Sequence, residues 1–172
     1  MPYITDFTGS LNYDTINVNY ESGEDKLVMT FPGYYNKWVD DLENYVTSYG
    51  NVVLGDYDSV LIAGLGLGVM PYYIQENKEC SIIDVVEINE DVIEAVNQLG
   101  HLSSSVNLIE DDILTYIPTR NYDLIILDIW WDGIYCQDDR EAQSPLMVTK
   151  YLEYLNEGGK VSTPINGLIH TN

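Results

Sequence analysis

Basic residues are scarce in this chain: 7 lysines and arginines stand against 28 aspartates and glutamates among 172 residues, a formal net charge of −21. The acids are spread along the chain, not gathered in a tail. Such a surface repels nucleic acid and the anionic face of a membrane, and it attracts cations. Neither nucleic acid nor membrane is therefore an expected partner. Solubility or tolerance of salt is the plain consequence; a cationic substrate, or imitation of nucleic-acid charge toward a basic protein, are two sharper ones. Cysteine is nearly absent too. Cys80 and Cys136 lack close spacing and histidine neighbours, which argues against a structural disulfide and against a metal site. The two histidines, His101 and His170, stand apart and read as surface or capping residues. No apolar run approaches the length of a bilayer span, and the opening MPYITDFTGS has neither a basic nor an apolar leader region. The expectation is a soluble, cytoplasmic protein. Repeats, low-complexity tracts and linkers are missing as well.

What the chain does have is concentrated between Ser59 and Asn89. An apolar run, Val60-Leu61-Ile62-Ala63, passes directly into Gly64-Leu65-Gly66-Leu67-Gly68. A helix is predicted from Val69 to Asn77, then a second apolar run, Ile82 to Val86, ending in Glu87. Strand, glycine turn, helix, strand and acid make a nucleotide-binding βαβ unit. Short apolar runs suit parallel strands buried on both faces. Glycines permit positive φ and a close backbone approach to a ligand, and the helix N-terminus adds partial positive charge. Glu87 is placed to accept hydrogen bonds from two ribose hydroxyls. A dinucleotide fingerprint would have its third glycine at position 69, where this chain has Val69.

Residues 1–58 read as a preamble within the same domain. Alternation at Ile16–Tyr20 and Lys26–Phe31 predicts a β-hairpin, and helical spacing from Tyr35 to Tyr49 predicts a helix. Residues 59–172 read as the core. After the βαβ unit come a helix capped by Asn89, a strand Val106–Ile109 followed by Glu110-Asp111-Asp112, and a short helix Ile113–Ile117. A fourth strand Tyr122–Leu127 ends at Asp128. A helix Pro145–Leu155 follows, then a turn at Glu157-Gly158-Gly159 and a fifth strand Lys160–Thr163. The predicted fold is α/β: a Rossmann-like, mostly parallel sheet with helices on both faces, its C-terminal strands truncated to one short strand at most. Four successive strand ends carry glycine or acid, and ligands of open α/β sheets bind at that carboxyl edge. An exposed sheet edge is a pairing liability, which favours a homo-oligomer.

The motifs VLIAGLGLG, VVEIN, LIEDDI and YDLIILD, spanning about residues 59 to 164, resemble the class I S-adenosylmethionine-dependent methyltransferases, in the spermidine-synthase-like branch. The resemblance implies that Gly64, Gly66 and Gly68 line the methionine and ribose part of S-adenosylmethionine, or of its decarboxylated form. It implies further that Glu87 binds the ribose hydroxyls, that Ile88 packs on adenine, that Asp112 accepts from the adenine amino group with Ile113 beside it, and that Asp128 faces the reactive centre. Two positions depart from the pattern. Ile62 stands where many methyltransferases carry an acid, and Leu67 where spermidine synthases carry an aspartate that grips the aminopropyl amine. Beyond Asp128, Asp132 supplies a second acid, four residues on rather than three. The pair suits orienting an amine and accepting its proton. Trp130, Trp131 and Tyr135 suit holding a cation against ring faces, or equally form a hydrophobic lid or a protein interface. The leading expectation is a methyltransferase acting on a small molecule, with an amine among the acceptors considered. Spermidine-synthase-like aminopropyl transfer and a non-catalytic acidic binding module are the alternatives.

Overall fold

Alternation of apolar and polar residues near the N-terminus builds a first, antiparallel sheet. In the computed structural model, which describes residues 6–33, 37–39, 55–129, 137–163 and 169–171, its strands are β1 (Ser10–Asn12), β2 (Asn17–Glu21), β3 (Lys26–Thr30) and β4 (Lys37–Val39), adjacent in that order. The β2–β3 pairing sets Val18 opposite Met29 and Tyr20 opposite Leu27, so the predicted hairpin is present. The helix predicted over 35–49 is not found at residues 37–39. These pair with β3 instead, Val39 opposite Val28 and Lys37 opposite Thr30. An unpaired edge on β3 offers a row of backbone partners that outweighs a helical spacing of apolar residues. The rest of that predicted helix lies outside the described residues.

The second sheet holds the core. Its strands β5 (Ser59–Ala63), β6 (Ile82–Glu87), β7 (Val106–Glu110), β8 (Tyr122–Leu127), β9 (Leu155–Ser162) and β10 (Ile169–Thr171) lie in the order β10-β9-β8-β5-β6-β7. All neighbours are parallel except β10, which runs antiparallel to β9. Every residue of β5 is buried, because this central strand is covered on both faces. Val60 and Ile62 join an apolar cluster with α1 (Val69–Asn77), α2 (Glu90–Leu99) and the hairpin residues Leu11, Val18, Leu27 and Met29. Leu61 and Ala63 join the opposite cluster, with Met147, Val148 and Tyr151 of α3 (Gln137–Leu152). Helices on both faces of a mostly parallel sheet are the predicted architecture.

Polar contacts also tie the hairpin to the core. The Thr15 hydroxyl donates to Asp91 Oδ2 at 2.6 Å, and Thr15 N donates to the same oxygen at 2.8 Å. Asn89 caps α2 as expected, its side chain accepting from Asp91 N at 3.0 Å.

Three element boundaries differ from the sequence expectation. Residues 113–115 form a turn, in place of a short helix over 113–117: the Asp112 carboxylate accepts from Leu114 N, and the Asp112 carbonyl from Thr115 N and Tyr116 N. A side chain competing for backbone donors ends such a helix in one turn. The helix α3 starts at Gln137 and carries Pro145 in its interior, so a proline read as a helix start is an interior residue. Strand β9 begins at Leu155, before the predicted turn. Its register passes from Leu155 opposite Tyr122 to Lys160 opposite Leu124, so Glu157-Gly158-Gly159 lies in a bulge within one strand. Gly158 takes φ +77 there, a conformation that suits glycine.

Candidate functional site

Strand order reverses between β5 and β8, and an open α/β sheet has its crevice at such a point, beyond the carboxyl ends of the strands. Backbone hydrogen bonds lace the four strand ends together. Asp128 N donates to Ala63 O at 2.9 Å, Gly64 N to Val86 O at 2.8 Å, and Asp111 N to Glu87 O at 3.1 Å. The structure thus brings Gly64, Glu87, Asp112 and Asp128, residues separated widely in sequence, onto one edge.

Gly64, Gly66 and Gly68 have φ of +90, +53 and +74. At Gly64 a side chain is excluded outright, since an added Cβ would collide with the Asp128 carbonyl oxygen. Gly68 is the N-cap of α1 and supplies no side chain to cap it, and the first turn holds no acid. No side chain of its cap or first turn offsets the partial positive charge of that terminus.

Glu87 turns its carboxylate back onto the loop. Oε2 accepts from Leu65 N at 2.9 Å and Oε1 from Asn89 N at 2.9 Å. Burial raises its pKa, with the backbone N–H groups of Leu65, Asn89 and Ile88 opposing the rise. Each oxygen retains a second lone pair, so this carboxylate can brace the glycine loop and still accept from a diol.

Ile88 is 67% exposed, an apolar surface at a strand end. Ile113, expected beside adenine, is a buried residue. It is 5% exposed and belongs to the cluster on the α3 side. The neighbouring Leu114, which the sequence reading passed over, is 41% exposed. Asp112 stands at the head of the turn, with Oδ1 accepting from Leu114 N at 2.9 Å. Asp128 is half-buried. Trp130, Trp131, Asp132 and Tyr135 lie outside the described residues. The two departures from the methyltransferase pattern are both core residues: Ile62 and Leu67 are each 1% exposed and sit in the cluster on the α1 side.

His101 corrects the sequence reading. It is not a surface residue but packs beneath the glycine loop, where a Cβ on Gly68 would come within 2.7 Å of Nε2. Its ring meets Tyr72 edge-on, with centroids 5.7 Å apart. Burial pushes its pKa down to about 4, against the opposing pull of the nearby Leu67 and Gly68 backbone. Neither ring nitrogen reaches hydrogen-bonding geometry. Nothing in the local sequence signals this, because Gly68 and His101 are brought together only by α1 and α2 packing on one face. Among the described residues, no group of three histidine, cysteine or acidic side chains could hold a metal ion, and no helix is long and apolar enough to cross a membrane.

No protein-family model and no curated protein matches this chain. Solved structures do. An N-methyltransferase, NodS from Bradyrhizobium japonicum WM9 in complex with S-adenosyl-L-homocysteine, superposes with a TM-score of 0.55 at 17% identity, over 70% of this chain and 60% of that one. The plantazolicin methyltransferase BpumL, also in complex with SAH, gives 0.51 at 21% identity over 70% and 44%. A spermidine synthase in complex with the transition-state analogue AdoDATO gives 0.69 at 16% identity, over 90% of this chain and 56% of that one. The chain thus spans less than two thirds of each of these proteins. This chain shares the fold of these methyltransferases and of that spermidine synthase.

Proposed function

We propose that this chain binds S-adenosylmethionine and transfers its methyl group to a small acceptor. One observation carries the reading: three glycines at positive φ, a loop-bracing glutamate and an aspartate-headed turn line the carboxyl ends of β5, β6 and β7, on one side of the switch point. In this reading the glycine loop holds the methionine portion, Glu87 the ribose hydroxyls, and Ile88 and Asp112 the adenine. The donor set fits the ligand. Backbone N–H groups suit a carboxylate and carboxylates suit hydroxyl and amino donors. S-adenosylmethionine supplies an electrophilic methyl on its sulfonium. When bound, it would give that methyl to the acceptor's lone pair, with the C–S bond pair left on sulfur. Asp128, at the end of β8, takes the proton that an amine acceptor releases, and alignment supplies much of the rate.

The uncapped terminus of α1 favours the carboxylated ligand over its decarboxylated form, because a carboxylate is stabilised there. Leu67, buried in the core, offers no grip for an aminopropyl ammonium. A second reading nonetheless has its own support. The likeness to spermidine synthase extends over 90% of the chain, so aminopropyl transfer is retained as the alternative.

Calorimetric titration with S-adenosylmethionine, its decarboxylated form and S-adenosylhomocysteine separates these readings. Preference for S-adenosylmethionine, weakened by at least about tenfold in Glu87→Ala, is expected; the loss of hydrogen bonds to a charged group is worth roughly that. Preference for the decarboxylated form would favour aminopropyl transfer. Failure to bind any of the three would leave an acidic binding module without this chemistry.

A further inference from the structure

The turn that follows β7 is held from behind by α3. Its carbonyl groups at Ile113 and Leu114 are directed toward the last turn of that helix. Lys150 Nζ donates to Leu114 O at 2.9 Å and to Ile113 O at 3.3 Å. The Tyr151 hydroxyl donates to Ile113 O at 2.7 Å and lies 3.3 Å from Tyr116 O. Tyr151 is fully buried, and Lys150 lies over its ring, 5.0 Å from the centroid.

This is an unusual use of a cation. The chain has only 7 basic side chains against 28 acids, and this ammonium donates to two carbonyls while the Asp112 and Asp111 carboxylates attract it. Lys150 is half-buried, and the partial desolvation of its ammonium is offset by these hydrogen bonds. The geometry explains the commitment. Turning the 113 and 114 carbonyls toward α3 leaves Leu114 N facing the Asp112 carboxylate, which accepts it at 2.9 Å. At the other end, Asp111 N is bonded to Glu87 O. The aspartate is therefore held at a fixed offset from Glu87 by bonds in front of it and behind it.

We propose that Lys150 and Tyr151 are positioning residues for base recognition: through the Ile113 and Leu114 carbonyls they set the place at which Asp112 meets the exocyclic amino group of the bound purine. The inference rests on the S-adenosylmethionine reading above, and it concerns selection among bases, not affinity in general. A carboxylate only accepts, so an Asp112 free to swing could turn to the ring N1–H of an oxo-purine instead of the amino group of adenine and would distinguish the two less well.

The test compares S-adenosylhomocysteine with S-inosylhomocysteine, whose purine carries oxygen in place of the amino group, by calorimetry on the full chain. Lys150→Met keeps the stem and removes the ammonium; Lys150→Arg restores a donor; Tyr151→Phe removes the second bond. The wild type is expected to prefer the adenosyl ligand by at least about tenfold, the worth of one hydrogen bond to a charged group. Lys150→Met and Tyr151→Phe should each narrow that preference to within about threefold, and Lys150→Arg should recover most of it. Should Lys150→Met fail to fold, Tyr151→Phe carries the same comparison.

A variant that weakens both ligands equally, leaving the ratio unchanged, shows a merely structural brace and overturns the proposal. Wild-type protein that binds both ligands alike overturns it while leaving the S-adenosyl reading standing. Wild-type protein that binds neither overturns the S-adenosyl reading and this inference with it.

Discussion

At position 64 the backbone holds φ +90 with the Asp128 carbonyl oxygen directly in the path of any Cβ. A left-handed backbone costs a residue with a side chain roughly 1–2 kcal/mol, and the collision is with backbone, which cannot swing aside. Gly64→Ala is expected to lose at least about 2 kcal/mol of unfolding free energy in a urea titration; a loss below about 0.5 kcal/mol would contradict the geometry. His101 makes a prediction of opposite kind, because its cost depends on protonation. Its folded pKa is depressed to about 4 from 6.5 by burial. The unfolded chain therefore takes up this proton first as pH falls. The stability due to the neutral ring is complete above 6.5 and is lost as pH drops through about 4. His101→Phe keeps the ring and removes the proton site. Denaturant unfolding at a series of pH values should show wild type losing roughly 2 kcal/mol more than His101→Phe between pH 7 and pH 4, allowing for the ring's partial exposure.

Between elements, the amino ends of the strands are joined by a buried carboxylate. Asp84 on β6 is 4% exposed. Its Oδ2 accepts from the Tyr122 hydroxyl at 2.7 Å, its Oδ1 from Asn107 at 3.1 Å, and Arg120 Nε lies 3.7 Å away. One side chain thus ties β6 to its neighbour β7 and, across β5, to β8. Burial, then the bond to Asp84, raises the Tyr122 pKa, so the phenol stays a donor. Tyr122→Phe leaves a buried carboxylate oxygen short of its partner and should cost about 1–3 kcal/mol. The change lies at the opposite strand ends from the glycine loop. Thermal unfolding should therefore fall while ligand affinity measured below the transition stays within about twofold.

Across the molecule, a net charge of −21 sets the terms. Self-repulsion disfavours the compact state, and salt screens it within a Debye length of about 10 Å at 0.1 M. Raising sodium chloride from about 20 mM to about 500 mM should raise the melting temperature by at least about 3 °C, the equivalent of roughly 1 kcal/mol for a chain of this size. A flat response would mean that the acids are already compensated by arrangement. The same charge leaves few cations for internal use, and two of them, Arg120 and Lys150, are spent on Asp84 and on the turn after β7.

Much of this is legible in the sequence. Burial on both faces makes a strand read as an unbroken apolar run, so Val60–Ala63 and Tyr122–Leu127 declare themselves. A glycine turn declares itself because few other residues tolerate positive φ, and acids at successive strand ends mark one edge of the sheet. Those are local properties, set by backbone sterics and by the period of burial, and the sequence determined them alone. What it did not determine is which residues meet. The helical spacing at 35–49 gave way at residues 37–39 to an open strand edge. Glu157–Gly159 became a bulge because β8 continued beside it. His101 came to rest under Gly68, and Lys150 behind the Asp112 turn. Each outcome depended on a partner remote in sequence. The free energy of such a contact arises only when packing has removed water from both sides, so tertiary structure alone decided it.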